Sequence, residues 1–363
     1  MFLKFSYIFE IKICWKKVVN KRGVMDDMIK RMKTNRKSGM WKAIAFLTVV
    51  ISFSCSSCED PIPPIPPVDP VKAVAIIQPA VNVTKTSSTV VAKVLPNEDG
   101  TKAAFEIKAS GESTWGSYVL PLTYNGKDTV KVTFDLFDLK VGTTYDFRIK
   151  AVNKAGETFS EISNFETYAV SDFDGNLYHT VKIGTQVWLK ENFKGTHFAN
   201  GDPIPNITGQ TEWEAATSPA YCYYNNDIKN ADTYGALYNW YTGVDPRGLI
   251  SGFHTPSYEE WRVITDYLGG DMTAGEKMKA ASPIWNGTNS SGFTALPAGG
   301  RQSVAFNGVG FIGINESIMF WSASDFFGLG GVSCAVLFRT GSAKIQHGGS
   351  SNYCGNSLRL IKN

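Results

Sequence analysis

The sequence predicts a multidomain protein in which an all-β sandwich precedes an α+β domain. Three observations support this prediction: the length of 363 residues, an alternation of apolar and polar residues that ends near residue 168, and a change of composition after residue 172. A chain of this length is comfortable for two domains. With 43% hydrophobic and 19% charged residues, it can bury sizeable cores.

The distribution of charge excludes some classes of partner. Residues 1–58 carry 12 Lys and Arg against 3 Asp and Glu, whereas the other 305 residues carry 24 and 30. The body of the protein is therefore mildly acidic, although the whole chain has a formal net charge of +3. It has no basic field that would hold nucleic acid or an anionic membrane surface.

Residues 1–54 have the features of an export signal. An apolar run over residues 43–53 follows several basic residues and is too short to span a bilayer, which needs about 20 residues. Because whole signals have about 15–30 residues, we expect translation to begin at Met32. A long but genuine leader is the alternative.

The signal ends in SFSCSSCEDP and not in an A-x-A cleavage site. This ending resembles the lipobox of bacterial lipoproteins, in which the cysteine after the cleavage site is lipidated. We expect lipidation at Cys55, and Cys58 is the alternative site. A disulfide between the two cysteines is the alternative to lipidation. The acidic pair that follows resembles Bacteroidetes-type lipoproteins, which implies an outer-membrane location on the cell surface or the periplasmic face.

Residues 55–70 contain these cysteines and a proline-rich stalk. Six of the twelve residues in 59–70 are proline, so this segment should be extended and semi-rigid. The alternative, a ligand for an adaptor domain, makes little sense outside the cell.

Residues 71–168 predict a β-sandwich. In LKVGTTYDFRIKAVNKAG, residues 139–156, Tyr145, Phe147 and Ile149 point to one face and the intervening polar residues to the other. This stretch resembles strand F of fibronectin type III domains, and Tyr145 stands where a tyrosine corner would fix the edge of the sandwich. Such domains are mostly spacers and binding platforms.

Residues 172–363 hold six of the nine tryptophans and predict short elements with few helices. The clearest helix covers residues 257–268, where Ser257 and Glu260 form a capping box and Trp261 begins the buried face. Glu259 then lies on the exposed face. Two further helices are predicted over residues 273–281, with the same capping pattern, and 234–241.

Seven segments of this region carry a family resemblance. They are DFDGNLYHTVKIGTQVWLKENF, YCYYNND, YGALYNWYTG, GFHTPSYEEW, SGFTALPAGGR, FWSAS and GNSLRLIKN. In this order they resemble the Fibrobacter succinogenes major paralogous domain, which occurs in exported proteins of Bacteroidetes and Fibrobacteres. GFHTPSYEEW is also similar to a segment of the formylglycine-generating enzyme family, and this implies a C-type-lectin-like fold for residues 172–363.

The same resemblance makes predictions about the cysteines. Where the family often has two cysteines, this chain has Leu249 and Leu360, so an apolar contact would replace any disulfide there. Cys222, Cys334 and Cys354 remain. In an oxidising compartment, one disulfide and one free thiol would be the simplest arrangement.

We expect no catalytic residues. The enzymes of the formylglycine-generating family work through redox-active cysteines, and the three cysteines here are scattered without a C-x-x-C pattern. Cys354 is the most tempting candidate, although a structural role fits it better. The sequence also has no nucleophile elbow, P-loop or dinucleotide fingerprint.

Two oxygen-rich segments are candidates for calcium sites, and no other cofactor is expected. Asp172, Asp174 and Asn176 alternate as in calcium loops, but a turn at the head of a hairpin explains them better. Weak calcium candidates are Asp227, Asn230 and Asp232.

Six aromatic residues lie within residues 221–241, and most should belong to the core. A few could stack on sugar rings beside the polar loop that follows. The expected contact region comprises Tyr223, Tyr224, Asn225, Asn226 and Asp227.

Together these features predict a non-catalytic, lipid-anchored protein whose C-terminal domain binds an extracellular glycan or protein. A self-assembling adhesin or fimbria-like subunit is the alternative, and a cryptic enzyme is the third possibility. A long exposed edge strand or a donor-strand arm would favour assembly, whereas a concave cleft lined with aromatic rings and carboxylates would favour binding.

Overall fold

A computed structural model describes residues 69–97, 100–303 and 310–363. Met32, Cys55, Cys58 and nearly all of the stalk lie outside these residues, so the predictions about export and lipidation stay predictions. Residues Asp69–Asn363 form one compact unit. Within the described ranges, no helix is both long enough and apolar enough to cross a membrane.

The N-terminal part of this unit is a sandwich of two antiparallel sheets. Its strands are β1 (Val74–Val81), β2 (Ser88–Leu95), β3 (Thr101–Ala109), β4 (Gly116–Tyr124), β5 (Val130–Leu136), β6 (Thr144–Asn153), β7 (Gly156–Phe159) and β8 (Ser163–Glu166). One sheet has the order β1-β2-β5 and the other the order β4-β3-β6-β7, with β8 also paired to β6.

Alternating side chains build the core of the sandwich, as the sequence predicts. Every second residue of β6 is buried along all ten of its positions, including Phe147 and Ile149. The predicted tyrosine corner is present, because the backbone N–H of Lys140 donates a hydrogen bond of 2.9 Å to the hydroxyl oxygen of Tyr145. The sandwich is therefore fibronectin type III-like.

The rest of the unit is built from short strands and short helices. The strands are β9 (Val170–Ser171), β10 (Leu177–Tyr178), β11 (Thr180–Ile183), β12 (Gln186–Leu189), β13 (Tyr221–Cys222), β14 (Leu237–Tyr238), β15 (Phe253–His254), β16 (Ala298–Arg301), β17 (Phe311–Ile314), β18 (Ser317–Asp325), β19 (Val332–Arg339), β20 (Gln346–Ser351) and β21 (Ile361–Lys362). The helices are α1 (Gln210–Ala215), α2 (Ala231–Tyr234), α3 (Trp240–Gly243), α4 (Tyr258–Tyr267) and α5 (Ala274–Met278), with 3-10 turns at Tyr224–Asn226 and Ile228–Asn230.

Two larger sheets organise this C-terminal domain. A four-stranded sheet has the order β11-β12-β21-β15, and a five-stranded sheet has the order β17-β16-β18-β19-β20. Successive residues of β18 enter different clusters of buried side chains: Phe320 packs with Trp188 and Trp261, whereas Trp321 packs with Leu358. Because side chains alternate along a strand, the five-stranded sheet lies between two cores.

The helix α4 follows its sequence prediction closely. Ser257 is its N-cap, the capping box with Glu260 is complete, and Trp261 and Ile264 are fully buried. Glu259 is exposed, as predicted.

The other two helix predictions need correction. Only Ala274–Met278 is helical in the second segment, and the Thr273 hydroxyl donates to backbone carbonyls of the preceding turn instead of capping the helix. The predicted helix over residues 234–241 is wrong: the segment contains the end of α2, then β14, then the start of α3. Gly235 ends α2 with a positive φ of 76°, which a helix cannot continue through.

Candidate functional site

The segment GFHTPSYEEW contains a histidine and two glutamates, and the structure gives it a structural role. The His254 ring lies 2.7 Å from the side-chain oxygen of Asn363 and 2.9 Å from Glu260. Glu260 also accepts hydrogen bonds from Ser257. Although burial opposes it, these bonds lower the pKa of Glu260. The histidine therefore fastens the start of α4 to the C-terminus.

The predicted contact loop is only partly available to a ligand. Asn225, Asn226 and Asp227 are exposed, and Tyr223 is half-buried. Tyr224, however, is only 7% exposed and packs against Phe311 with ring centroids 5.4 Å apart. The expectation that its ring offers a binding surface is therefore wrong.

Many of the polar groups of this loop already form hydrogen bonds with the protein. The Asn226 amide donates to the Thr208 carbonyl, and the Asn230 amide donates to the Tyr224 carbonyl. The Asp227 carboxylate accepts from the backbone of Lys229 and caps the next turn. These contacts give the loop its own shape.

The carboxylates of Asp172 and Asp174, in the first candidate calcium segment, are occupied by structural hydrogen bonds. Asp172 accepts from Asn176 and from the Tyr178 hydroxyl, and Asp174 accepts from Thr196 and His197. The first segment joins β9 to β10 as the predicted hairpin turn. Among the residues that the structure describes, no three His, Cys, Asp or Glu side chains are grouped so that they could hold a metal ion.

The three cysteines do not form the expected disulfide. Cys222, Cys334 and Cys354 are all free thiols and all buried. Burial raises the pKa of Cys222 to about 11 and also raises the pKa of the other two. Leu249 and Leu360, at the positions of the family cysteines, are buried in one cluster. An apolar core thus occupies the place where the family often has a pair of cysteines.

A cleft with a volume of about 270 Å³, lined mainly by polar residues, lies between three chain segments. Its walls come from residues 190–194 after β12, residues 231–235 around α2, and residues 294–296 before β16. These segments belong to, or directly adjoin, the motifs VWLKENF, YGALYNWYTG and SGFTALPAGGR. The polar lining residues are Lys190, Glu191, Asn192, Lys194, Asp232, Thr233 and Thr294.

Arg359 joins two of these walls through hydrogen bonds. It is fully buried, and its guanidinium donates to the carbonyls of Leu189 and Lys190 on one wall and of Phe293 on the other. Its plane packs on the Phe293 ring, with 4.4 Å from Cζ to the centroid. Burial lowers the pKa of Arg359 to about 9, so it stays charged at neutral pH.

Asn192 joins the third wall to this network. Its side-chain oxygen accepts a hydrogen bond of 2.7 Å from Arg359, and its amide donates one of 2.8 Å to the carbonyl of Tyr234. A Cβ at Gly235 would lie only 2.8 Å from the Phe193 carbonyl oxygen. This close approach and its positive φ explain the glycine, and the cleft is therefore held in one shape.

Thr294 on the cleft wall has a strained backbone. Its φ is +57°, a region that β-branched residues rarely adopt. Asn289 stabilises this conformation, because its side-chain oxygen accepts from the Thr294 backbone N–H at 2.9 Å. Strained residues cluster at functional sites, so Thr294 is independent support for a functional role of the cleft.

Three side chains of the cleft remain available for a ligand. The ammonium of Lys194, the carboxylate of Asp232 and the hydroxyl of Thr233 form no hydrogen bond or ion pair with any residue in the described part of the chain. By contrast, Lys190, Glu191 and Asn192 are already engaged. The cleft thus offers one cationic donor, one anionic acceptor and one hydroxyl.

A larger groove of about 560 Å³ lies beside β20 at the edge of the five-stranded sheet. His347 is buried there, 3.4 Å from an Asp271 carboxylate oxygen, without a hydrogen bond to the described residues. Burial lowers the pKa of His347. This groove is wider and more open to solvent, and fewer of the motif segments line it.

Asp232 is the only polar residue of the cleft that was predicted as a site residue, and it was predicted as a weak calcium candidate. The other polar residues of the cleft were not predicted: Lys190, Glu191, Asn192, Lys194, Thr233 and Thr294. The usable signal was the polar run KEN directly after the buried strand VWL, since polar residues at a strand end often line a site.

The sequence matches the Fibrobacter succinogenes major domain over residues 181–362, half of the chain. This protein belongs to that family. None of the curated proteins compared with the chain matches it.

Several solved structures are similar to parts of the chain. The sensor domain of the anti-sigma factor RsgI4 in Pseudobacteroides cellulosolvens is 23% identical, with a TM-score of 0.23, covering 28% of this chain and 98% of that one. The fibronectin type III domain of human fibronectin type III domain containing protein 3 is 19% identical, with a TM-score of 0.20. The match covers 26% of this chain and 84% of that one. A fibronectin type III domain from the human KIAA0970 protein is 19% identical, with a TM-score of 0.20. The match covers 28% of this chain and 79% of that one.

Proposed function

We propose that this protein is a non-catalytic binding protein of the outer membrane whose C-terminal domain holds an extracellular glycan in the polar cleft. The proposal rests on the cleft, in which the side chains of Lys194, Asp232 and Thr233 have no partner among the described residues. Its volume of about 270 Å³ is near the lower end of small-molecule sites, which measure about 300–1,000 Å³. Such a cleft suits one sugar unit of a longer chain. A protein partner would need a larger surface, of about 800 Å².

We further propose that the C-terminal domain has a C-type-lectin-like fold. A C-type-lectin-like fold for the C-terminal domain is supported by the resemblance of GFHTPSYEEW to its counterpart in the formylglycine-generating enzymes. The mixture of two sheets with short helices agrees with it.

A non-catalytic role is supported by the state of the thiols. Cysteine chemistry needs a thiolate, which forms at lowered pKa in an accessible site. All three thiols here are buried, with raised pKa values. A cryptic enzyme would need a different nucleophile.

Assembly through the sandwich edges is the second candidate, and one observation favours it. Val119 and Leu122 on the edge strand β4 are 68% and 64% exposed. However, β4 contains Pro121, and β1, an edge strand of the second sheet, contains Pro79. Proline lacks the N–H that an added strand would need, so these edges are poor templates for self-assembly.

The test of the proposal is a glycan array probed with soluble residues 59–363. Lys194→Ala and Asp232→Ala should each weaken the strongest glycan about tenfold, because each removes one charged hydrogen-bonding group. Lys229→Ala and Asp227→Ala are matched controls in the neighbouring loop and should bind normally. Equal weakening by the controls would place the contact in residues 223–227, and an array without binders would contradict the proposal.

The anchor needs a separate experiment in cells. Growth with an alkyne palmitate should label the protein, and Cys55→Ala should abolish the label. Label that survives this change but disappears in Cys58→Ala would move the anchor to Cys58. An unlabelled wild-type protein would contradict lipidation.

A further inference from the structure

The junction between the two domains contains a chain of charged contacts that reaches the cleft. Lys190, a cleft residue, forms an ion pair of 2.5 Å with Glu166 at the end of β8 in the sandwich. Glu191, the next cleft residue, lies 2.6 Å from Nδ1 of His179. Two adjacent residues of the cleft wall are thus fixed by groups outside the cleft.

His179 contacts both domains. Its Nε2 lies 3.1 Å from the Glu166 carbonyl oxygen, and its backbone N–H donates to the second oxygen of Glu191 at 2.8 Å. Its ring packs on Tyr168, which follows the last strand of the sandwich, with centroids 4.1 Å apart. The histidine is therefore a bridge from the sandwich to the cleft wall.

The partners of the His179 ring define its protonation state. A carboxylate and a carbonyl oxygen can only accept, so both ring nitrogens must donate, and only the imidazolium donates from both. Burial disfavours this charge, but the hydrogen bond and charge of Glu191, with the contacts to Glu166, raise the pKa of His179. The charged and titratable groups that face the ring are Glu191, Glu166, Lys190 and Tyr168.

We propose that the cleft is a two-domain site, in which Glu166 of the sandwich positions Lys190 and His179 positions Glu191. This inference rests on the proposed function, since it concerns the same cleft. Glu166 and His179 are positioning residues and do not touch the ligand. In this arrangement the sandwich helps to set the geometry of the binding site and is more than a spacer.

The sign of the pH dependence follows from the direction of the His179 shift. Because its pKa is raised in the folded protein, the bridge is complete below about pH 6.5, the ordinary value for histidine. It is lost as the pH rises through the folded pKa. Order in residues 190–194 should therefore decrease with rising pH.

The test measures the cleft without any glycan. Hydrogen exchange at the backbone amides of residues 190–194 is followed in soluble residues 59–363, and NMR titration gives the pKa of His179. Glu166→Gln should lower the His179 pKa and, after correction for intrinsic rates, speed exchange about fivefold. Glu106→Gln removes a comparable ion pair with Arg148 elsewhere in the sandwich and should change neither quantity.

Two results would overturn the inference: a His179 pKa at or below its ordinary value, or equal exchange in the two variants. Failure of the proposed function is distinguishable. In that case no glycan binds, while exchange at residues 190–194 still responds to Glu166→Gln and to pH.

Discussion

In the sandwich, backbone ladders and alternating apolar side chains account for the fold, whereas in the C-terminal domain buried polar side chains hold long loops in place. The sandwich core consists of residues such as Val90, Phe105 and Phe147 on regular strands. In the C-terminal domain, Arg301 and Arg359 are buried almost completely and donate mainly to backbone carbonyls.

This difference explains where a binding site can arise. A regular ladder satisfies its own backbone groups, so its surface is repetitive and its shape is set locally. Loops without a ladder need side chains to satisfy their carbonyls, and Arg359 and Asn192 do this for the three walls of the cleft. The irregular domain therefore provides a concave site of fixed shape, and the regular domain provides support.

Deleting a core aromatic should have the largest effect, and it should be the same in both domains. Trp261→Ala and Phe147→Ala each remove a fully buried ring and should each cost ~3–5 kcal/mol of unfolding free energy. Urea denaturation followed by circular dichroism measures both. A small loss in either variant would mean that its ring is not part of a tight core.

Deleting a buried arginine should distinguish the two domains, because the loss of stability should be larger in the C-terminal domain than in the sandwich. Arg359→Ala removes the donor to several backbone carbonyls and to the side-chain oxygen of Asn192, and we expect a loss of ~3 kcal/mol. Its comparison variant in the sandwich is Arg148→Ala, which removes a partly exposed ion pair with Glu106 and the packing of the guanidinium on Trp115 and Phe159, and should cost only ~1–2 kcal/mol. Equal losses would show that the buried arginine has no special role.

Removing one hydroxyl should weaken the sandwich moderately. Tyr145→Phe removes the acceptor for the Lys140 N–H and should cost ~1 kcal/mol, the usual net value of a hydrogen bond. Hydrogen exchange at the Lys140 amide should become faster. Unchanged exchange there would show that the tyrosine corner does not protect this amide.

The smallest effect is expected on the exposed face of α4. Glu259→Ala changes a side chain with no partner in the core and should alter the stability by less than ~0.5 kcal/mol. The same substitution at Glu260 removes the capping box and the contact with His254, and it should cost ~1–2 kcal/mol. If the two variants behave alike, the assignment of the helix face is wrong.

The same contrast decides what could be predicted from the sequence. Strand β6 and helix α4 were predictable because their periodicity and capping residues are local signals. The segment 221–241 was not, since its aromatic residues pack against distant strands, such as Tyr224 on Phe311. The cleft was out of reach for the same reason: Arg359 joins residues 189–192 to residues 293–294, and no local pattern announces such contacts.

The cleft between residues 190–194, 231–235 and 294–296 is the binding site that we propose for this protein. The most direct measurement is an NMR map of residues 59–363 titrated with the strongest glycan from the array. We expect the largest shifts on amides of these three segments, with Lys194 and Asp232 among them. Shifts centred on residues 223–227, or on the groove beside β20, with an unchanged cleft would contradict it.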